Sequence, residues 1–105
     1  MGVNCVMEIK IVEEGGKVVF YVKGQLDTIT FSDLEEALKP YLTENQHLIL
    51  DFTALEYLSS AGLRVILRAQ QQIDDLNSSM VIRNSNEEVM EVFEITGFAD
   101  FLTFE

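Results

Sequence analysis

The chain has one cysteine, one proline, one histidine and no tryptophan in 105 residues, and its 7 lysines and arginines face 18 aspartates and glutamates. Each shortage excludes something. A solitary Cys5 permits no internal disulfide, and with His47 as the sole imidazole no spaced Cys/His cluster can hold a structural metal. A formal net charge of -11 denies a nucleic-acid binder its basic footprint, and an anionic membrane surface repels such a chain. No run of about 18 apolar residues is present, so direct membrane insertion is not expected. Met1–Val6 has neither a basic nor an apolar signal-peptide region. Val6 stands where a myristoylation signal following Gly2 needs Ser or Thr. These features read as a cytoplasmic protein with residues 1–6 flexible. The acidity points to basic partners, or to partners met through an apolar patch, or serves solubility alone.

Glycine is sparse as well. Positions 2, 15, 16, 24, 62 and 97 build neither a Walker loop nor a dinucleotide loop, and no G-x-S-x-G elbow occurs. His47, just before an apolar run, reads as a surface or structural residue, and Cys5 lies outside the expected core. The chain is therefore read as non-enzymatic, with no cofactor and no metal.

What is there is a core. Hydrophobic residues make up 48% of the chain, enough for one domain, assigned to 7–105. Met7–Val12 alternates apolar and polar, Gly15-Gly16 signals a turn, and Val18–Leu26 carries Val18, Phe20 and Val22 on one face; together they predict an antiparallel hairpin. Phe31, Leu34, Leu38 and Leu42 recur at helical spacing after a cap at Thr30 or Ser32, with a kink or early end at Pro40. Leu48–Phe52 reads as a central strand. A loop over Thr53–Leu58 leads to a long helix from about Ser60 to Leu76, with Leu63, Ile66, Leu67, Ile73 and Leu76 inward and Arg64, Arg68 and Gln70–Gln72 outward at least in part. Met80–Ile82 is a strand. Ser85 or Asn86 caps a third helix, Glu87–Ile95, stopped by Gly97, and Phe98–Phe104 supplies a last turn and edge strand. The expected fold is α/β, of order β-β-α-β-α-β-α-β, with a mixed sheet: the opening antiparallel hairpin, then parallel strands.

One stretch carries more than scaffold. Between the central strand and the longest helix runs Asp51-Phe52-Thr53-Ala54-Leu55-Glu56-Tyr57-Leu58-Ser59-Ser60-Ala61-Gly62-Leu63-Arg64. A helix start has unsatisfied backbone N–H groups and partial positive charge, and Ser59 or Ser60 can cap it. Gly62 in the first turn costs up to about 1 kcal/mol against Ala; a close approach by another chain or backbone would account for it.

Here the chain resembles the STAS domain family, through Leu48-Ile49-Leu50-Asp51-Phe52, Leu55 and Tyr57-Leu58-Ser59-Ser60-Ala61-Gly62-Leu63. Gly24-Gln25-Leu26-Asp27 is similar to that family's turn after its second strand. The resemblance implies a STAS-like fold and, among free-standing bacterial members, an anti-sigma factor antagonist. Such a protein binds an anti-sigma factor that is also a serine protein kinase. Phosphorylation of a serine at the start of the second helix ends the binding, and a phosphatase is a further partner. The acceptor position, two residues before the glycine, is Ser60. The expected partner face comprises Asp27 and Thr28 with Ser59, Ser60, Ala61, Gly62, Leu63 and Arg64. The family's Asp before the acceptor is Ser59 here, which removes a negative charge beside it. Two alternatives stay open: an unphosphorylated STAS interaction subunit of a transporter or signalling assembly, and a nucleotide- or small-anion-binding STAS domain.

Overall fold

The computed structural model describes residues 7–105; the expectation of a flexible segment over 1–6, and Cys5 with it, lies outside the described residues. Alternation and two glycines make the hairpin. Strand β1 (Met7–Glu14) pairs antiparallel with β2 (Lys17–Leu26), and Glu14 faces Lys17 across Gly15-Gly16. Both glycines have positive φ, 56° and 84°, the backbone that a tight primed turn requires. Strand β3 (His47–Asp51) runs parallel to β2, and β5 (Ser79–Arg83) runs parallel to β3. The path across the sheet is β1-β2-β3-β5.

Helices α1 (Phe31–Leu38), α2 (Ser60–Asp74) and α3 (Glu87–Ile95) connect or follow these strands. Pro40 sits in a 3-10 turn, Lys39–Tyr41, that closes α1, as its missing N–H dictates. Asn86 caps α3 by accepting from the Val89 N–H at 2.8 Å, and Gly97 takes the left-handed conformation just past its end. Phe20, Leu50 and Ile82 stand in register across β2, β3 and β5. They share one buried cluster with Leu34 and Leu38 of α1, Ile66 and Ile73 of α2, and Val89 and Phe93 of α3. Emptying any of these positions removes apolar surface that packing cannot refill; a buried Phe→Ala change costs about 3–5 kcal/mol.

Three readings are corrected. Thr53–Leu58 is not all loop: Leu55–Leu58 forms a short strand, β4, which continues along β2 past the end of β3. Only Leu55 and Leu58 of it are buried, so the period-two signal of a strand is missing. The last edge strand shrinks to one parallel bridge, Ile82 with Phe104, after a 3-10 turn over Phe98–Phe101. Gln70 is buried rather than outward, and shares a cavity lining with Phe98 and Phe101 of the segment after α3.

Candidate functional site

The site begins as a consequence of strand pairing. Leu26 and Leu58 are partners in the parallel β2–β4 register, so the residues that follow them, Asp27 and Ser59, leave the sheet side by side. The Ser59 N–H donates to the Leu26 carbonyl at 2.9 Å, locking the two exits together.

The first exit is a tight turn built on one carboxylate. Asp27 Oδ1 accepts from the backbone N–H groups of Ile29 at 2.9 Å and Thr30 at 3.1 Å. The buried Thr30 hydroxyl donates to the Gln25 carbonyl at 2.7 Å and accepts from the Asp27 N–H at 3.0 Å. Thr30 therefore braces the turn instead of capping α1 with its side chain. The Ile29 N–H foremost holds the Asp27 carboxyl below the usual carboxylate range; desolvation opposes it, and Thr30 adds to it.

The second exit is the start of α2. Ser59 has extended backbone, and its Oγ accepts from the Gly62 N–H at 3.4 Å while its carbonyl accepts from the Leu63 N–H at 2.9 Å. Ser59 is thus the cap, and Ser60 is the first helical residue, exposed. Asp27, Ser59 and Ala61 are half-buried; Thr28 and Arg64 are exposed. Gly62 and Leu63 are buried. These two belong to the support of the face, not to its surface. A Cβ on Gly62 would lie 2.5 Å from Leu26 Cγ and 3.0 Å from the Leu26 carbonyl oxygen, so the close approach that demands glycine is made by this chain's own β2. No second chain is needed to explain it.

Further back, an ion pair shapes the route between β3 and β4. Asp51, 4% exposed, accepts at Oδ2 from Arg83 Nε at 2.9 Å and at Oδ1 from the Thr53 N–H at 2.9 Å. Burial pushes the Asp51 carboxyl up, but hydrogen bonds from Thr53 and then Arg83 outweigh it and hold it below the ordinary value. Asn86 donates from its side chain to the Leu55 carbonyl at 3.0 Å, tying β4 to the start of α3. Asp51 thus holds the turn at Thr53, through which the chain passes from β3 to β4.

The sequence pattern did not single out Ile29, and it placed Tyr57 in the family-like motif without marking it as surface; they are 68% and 53% exposed, on the two segments that flank the face. Large apolar side chains left in water beside polar ones suit a protein interface. Neither sits in a clean period, so only the folded surface reveals them. Among the described residues no group of three or more His, Cys, Asp or Glu is placed to hold a metal ion, and no helix is long and apolar enough to cross a membrane.

A mixed sheet with three helices and a serine-bearing helix start beside an aspartate turn defines a class of small α/β interaction domain. Residues 8–105 match the STAS domain, and the chain belongs to that family. An anti-sigma-B factor antagonist of Listeria monocytogenes is 30% identical over 100 residues, covering 94% of this chain and 87% of the relative. Among solved structures, an anti-sigma factor antagonist from Mycobacterium paratuberculosis superposes with a TM-score of 0.80 at 19% identity, covering 99% of this chain and 89% of the other. The antagonist SpoIIAA in its unphosphorylated form gives 0.76 at 16% identity over 93% of this chain and 88% of its own. The Bacillus SpoIIAA in the phosphorylated form gives 0.69 at 16% identity over 95% and 91%.

Proposed function

We propose that this protein is an anti-sigma factor antagonist: it binds an anti-sigma factor that is also a serine protein kinase, and phosphorylation of Ser60 releases that partner. The observation that carries this reading is the division of labour between adjacent serines. Ser59 is spent on the cap, while Ser60 is exposed on the first turn of α2. The names of the relatives support the partner class, and a solved phosphorylated form of a structural neighbour supports the modification.

The contact face consists of Asp27, Thr28, Ser59, Ser60, Ala61 and Arg64, with Ile29 and Tyr57 adding apolar area. A phosphate on Ser60 adds about -1.5 to -2 charges and three acceptor oxygens. The helix start accommodates it at a gain of about 0.3–1 kcal/mol, so α2 survives both states. An interface closed over the same hydroxyl must desolvate the phosphate and place it near Asp27. About 1.4 kcal/mol already changes affinity tenfold, so release needs no refolding. A phosphatase restores the binding form, and the cycle runs in the cytoplasm.

The test is incubation with the purified kinase partner and ATP, read by intact mass and by binding. One phosphate is expected, lost in Ser60→Ala, with Ser60→Asp binding the partner at least about tenfold more weakly. Equal affinity of Ser60→Asp and the unmodified protein would overturn the switch. Partner binding with no mass change would favour an unphosphorylated interaction subunit, for which Ser59 in place of the family's Asp speaks. A phosphate mapped to Ser59 would keep the switch and move its residue.

A further inference from the structure

Strand β1 stands at the edge of the sheet, and among the described residues it pairs with β2 alone. An edge strand carries a row of backbone donors and acceptors on its free side. Which residues supply them follows from Gly24. It is the register partner of Met7, yet its N–H goes to the Ala54 carbonyl at 3.0 Å, away from β1. Opposed residues of an antiparallel pair bond to each other or not at all. Met7 therefore turns its own N–H and C=O outward, and by alternation so do Ile9, Ile11 and Glu13.

Proline, a bulge or a very short strand would blunt such an edge. This one has 8 residues, no proline and an unbroken register with β2. Met7 and Ile9 are only partly buried on the face that carries the helices, and Ile11 beside them is 39% exposed. Glu8, Lys10 and Glu14 alternate with them on the opposite face. Charges of one sign would repel a second copy of the strand. Glu8 and Lys10 do the reverse, since a two-fold axis through the residue between them sets each against the other.

That residue is Ile9. In a two-fold antiparallel pairing of β1 with a second β1, opposed side chains share a face, so the axis passes through a residue that meets its own copy. Centred on Ile9, the pairing opposes Glu8 to Lys10 twice, Met7 to Ile11 twice, and Ile9 to itself. Every charge is then met, and every apolar side chain lies on another. Centred on Glu8, Lys10, Glu13 or Glu14, it opposes like charges. Centred on Ile11, it sets Glu8 against Glu14; centred on Val12, it sets Ile11 against Glu13. Centred on Met7, it pairs no other described residue. One register survives.

We infer that the free edge of β1 receives β1 of a second copy of this chain in that register, joining two sheets into one with the helices of both copies on the same face. The face around Ser60 contributes no residue to this contact, so the inference stands apart from the proposed switch. Met7–Ile11 of each strand make a small interface of the weak, transient class, with a dissociation constant between about 1 μM and 1 mM.

Sedimentation of the full chain, in a concentration series up to about 1 mM, reads the mass directly. Salt at about 0.15 M screens the net charge of -11 beyond about 8 Å. The parent should pass from monomer to dimer. Glu8→Lys and Lys10→Glu, both at exposed positions, each oppose like charges twice and should each weaken the dimer at least about tenfold. The two reversals move the net charge in opposite directions, so overall repulsion cannot weaken both. The double variant Glu8→Lys/Lys10→Glu should recover parental association, because the pairs form again with their signs exchanged. Thermal melts show that each variant is folded, and if one reversal unfolds the chain, the other and the double variant decide. A parent that stays monomeric throughout, a dimer indifferent to the reversals, or a double variant that fails to recover would overturn the inference.

Discussion

Gly62 rests against Leu26 so closely that a single added carbon would sit 2.5 Å from Leu26 Cγ and 3.0 Å from its carbonyl oxygen. Leu26 is fully buried, and its carbonyl already accepts the Ser59 N–H. The first turn of α2 and the end of β2 are therefore one mechanical unit. Asp27 hangs from one side of it and Ser60 from the other.

Gly62→Ala tests that unit. Helix propensity alone favours Ala by up to about 1 kcal/mol, whereas forcing a methyl into packed atoms costs about 1–3 kcal/mol. Backbone oxygen cannot swing aside as a side-chain tip can, so the clash wins and the variant should unfold at lower urea. Partner affinity should fall with it, because relief of the clash moves Asp27 away from α2. A variant at least as stable as the parent would show that Leu26 yields freely.

Asp51 gives a pH signature. Its folded carboxyl titrates below the ordinary value of 3.8, so its stabilisation is complete above that value and is lost as pH falls through the folded one. Asp51→Asn should lose about 1.5–3 kcal/mol near neutrality, the worth of hydrogen bonds to a charged group. Arg83, with its side chain 26% exposed, can turn partly to water, which keeps the loss out of the range of a sealed pair. Urea melts from about pH 6 down to about pH 3 should find the gap between parent and variant closing. Parallel curves would mean that the ion pair contributes nothing that depends on charge.

Much of this architecture was legible before folding was considered. The hairpin follows from Met7–Val12 and Gly15-Gly16, and the ends of α3 follow from a cap at Ser85 or Asn86, which the structure resolves to Asn86, and from Gly97, because turns and caps are local chemistry. The site was legible only in outline. The resemblance pointed to Ser60 as the acceptor position, but which of the two neighbouring hydroxyls caps the helix cannot be told until the backbone shows Ser59 extended and Ser60 helical. The adjacency of Asp27 and Ser59 is set by a parallel pairing across more than thirty residues of chain, which no window of sequence contains. Strand β4 escaped because a register shift between Gly24 and Gln25 breaks the regular alternation. Gln70 escaped because a polar letter reads as surface until its neighbours are known.

Asp27 separates geometry from charge. Asp27→Asn retains an Oδ1 acceptor for the Ile29 and Thr30 N–H groups and should keep the turn, while Asp27→Ala leaves both donors without it. Both variants lose the negative charge of the carboxylate. If the partner reads charge, the two should bind about equally, roughly tenfold below the parent. If it reads the shape of the turn, only Asp27→Ala should be impaired. Titration calorimetry against the anti-sigma factor decides between them, and parental affinity in both would remove Asp27 from the face.

The adjacent serines should separate cleanly. Removing a capping hydroxyl costs about 0.5–2 kcal/mol, and the 3.4 Å bond from the Gly62 N–H to Ser59 Oγ is long, which puts Ser59→Ala at the low end of that span. Ser60 is exposed on the first turn, where Ala is the better helix former, so Ser60→Ala should match or slightly exceed the parent in Tm. Phosphate acceptance should run the other way, retained in Ser59→Ala and absent from Ser60→Ala. Ser59→Asp keeps an acceptor for the Gly62 N–H and adds a negative charge at the positive end of α2, worth about 0.3–1 kcal/mol; it should be the most stable of the set. Paired thermal melts and intact-mass spectra of the variants suffice. Loss of Tm in Ser60→Ala alone would exchange the two roles, because Ser60 would then be the hydroxyl that holds the helix start together and Ser59 the one left for a kinase to reach.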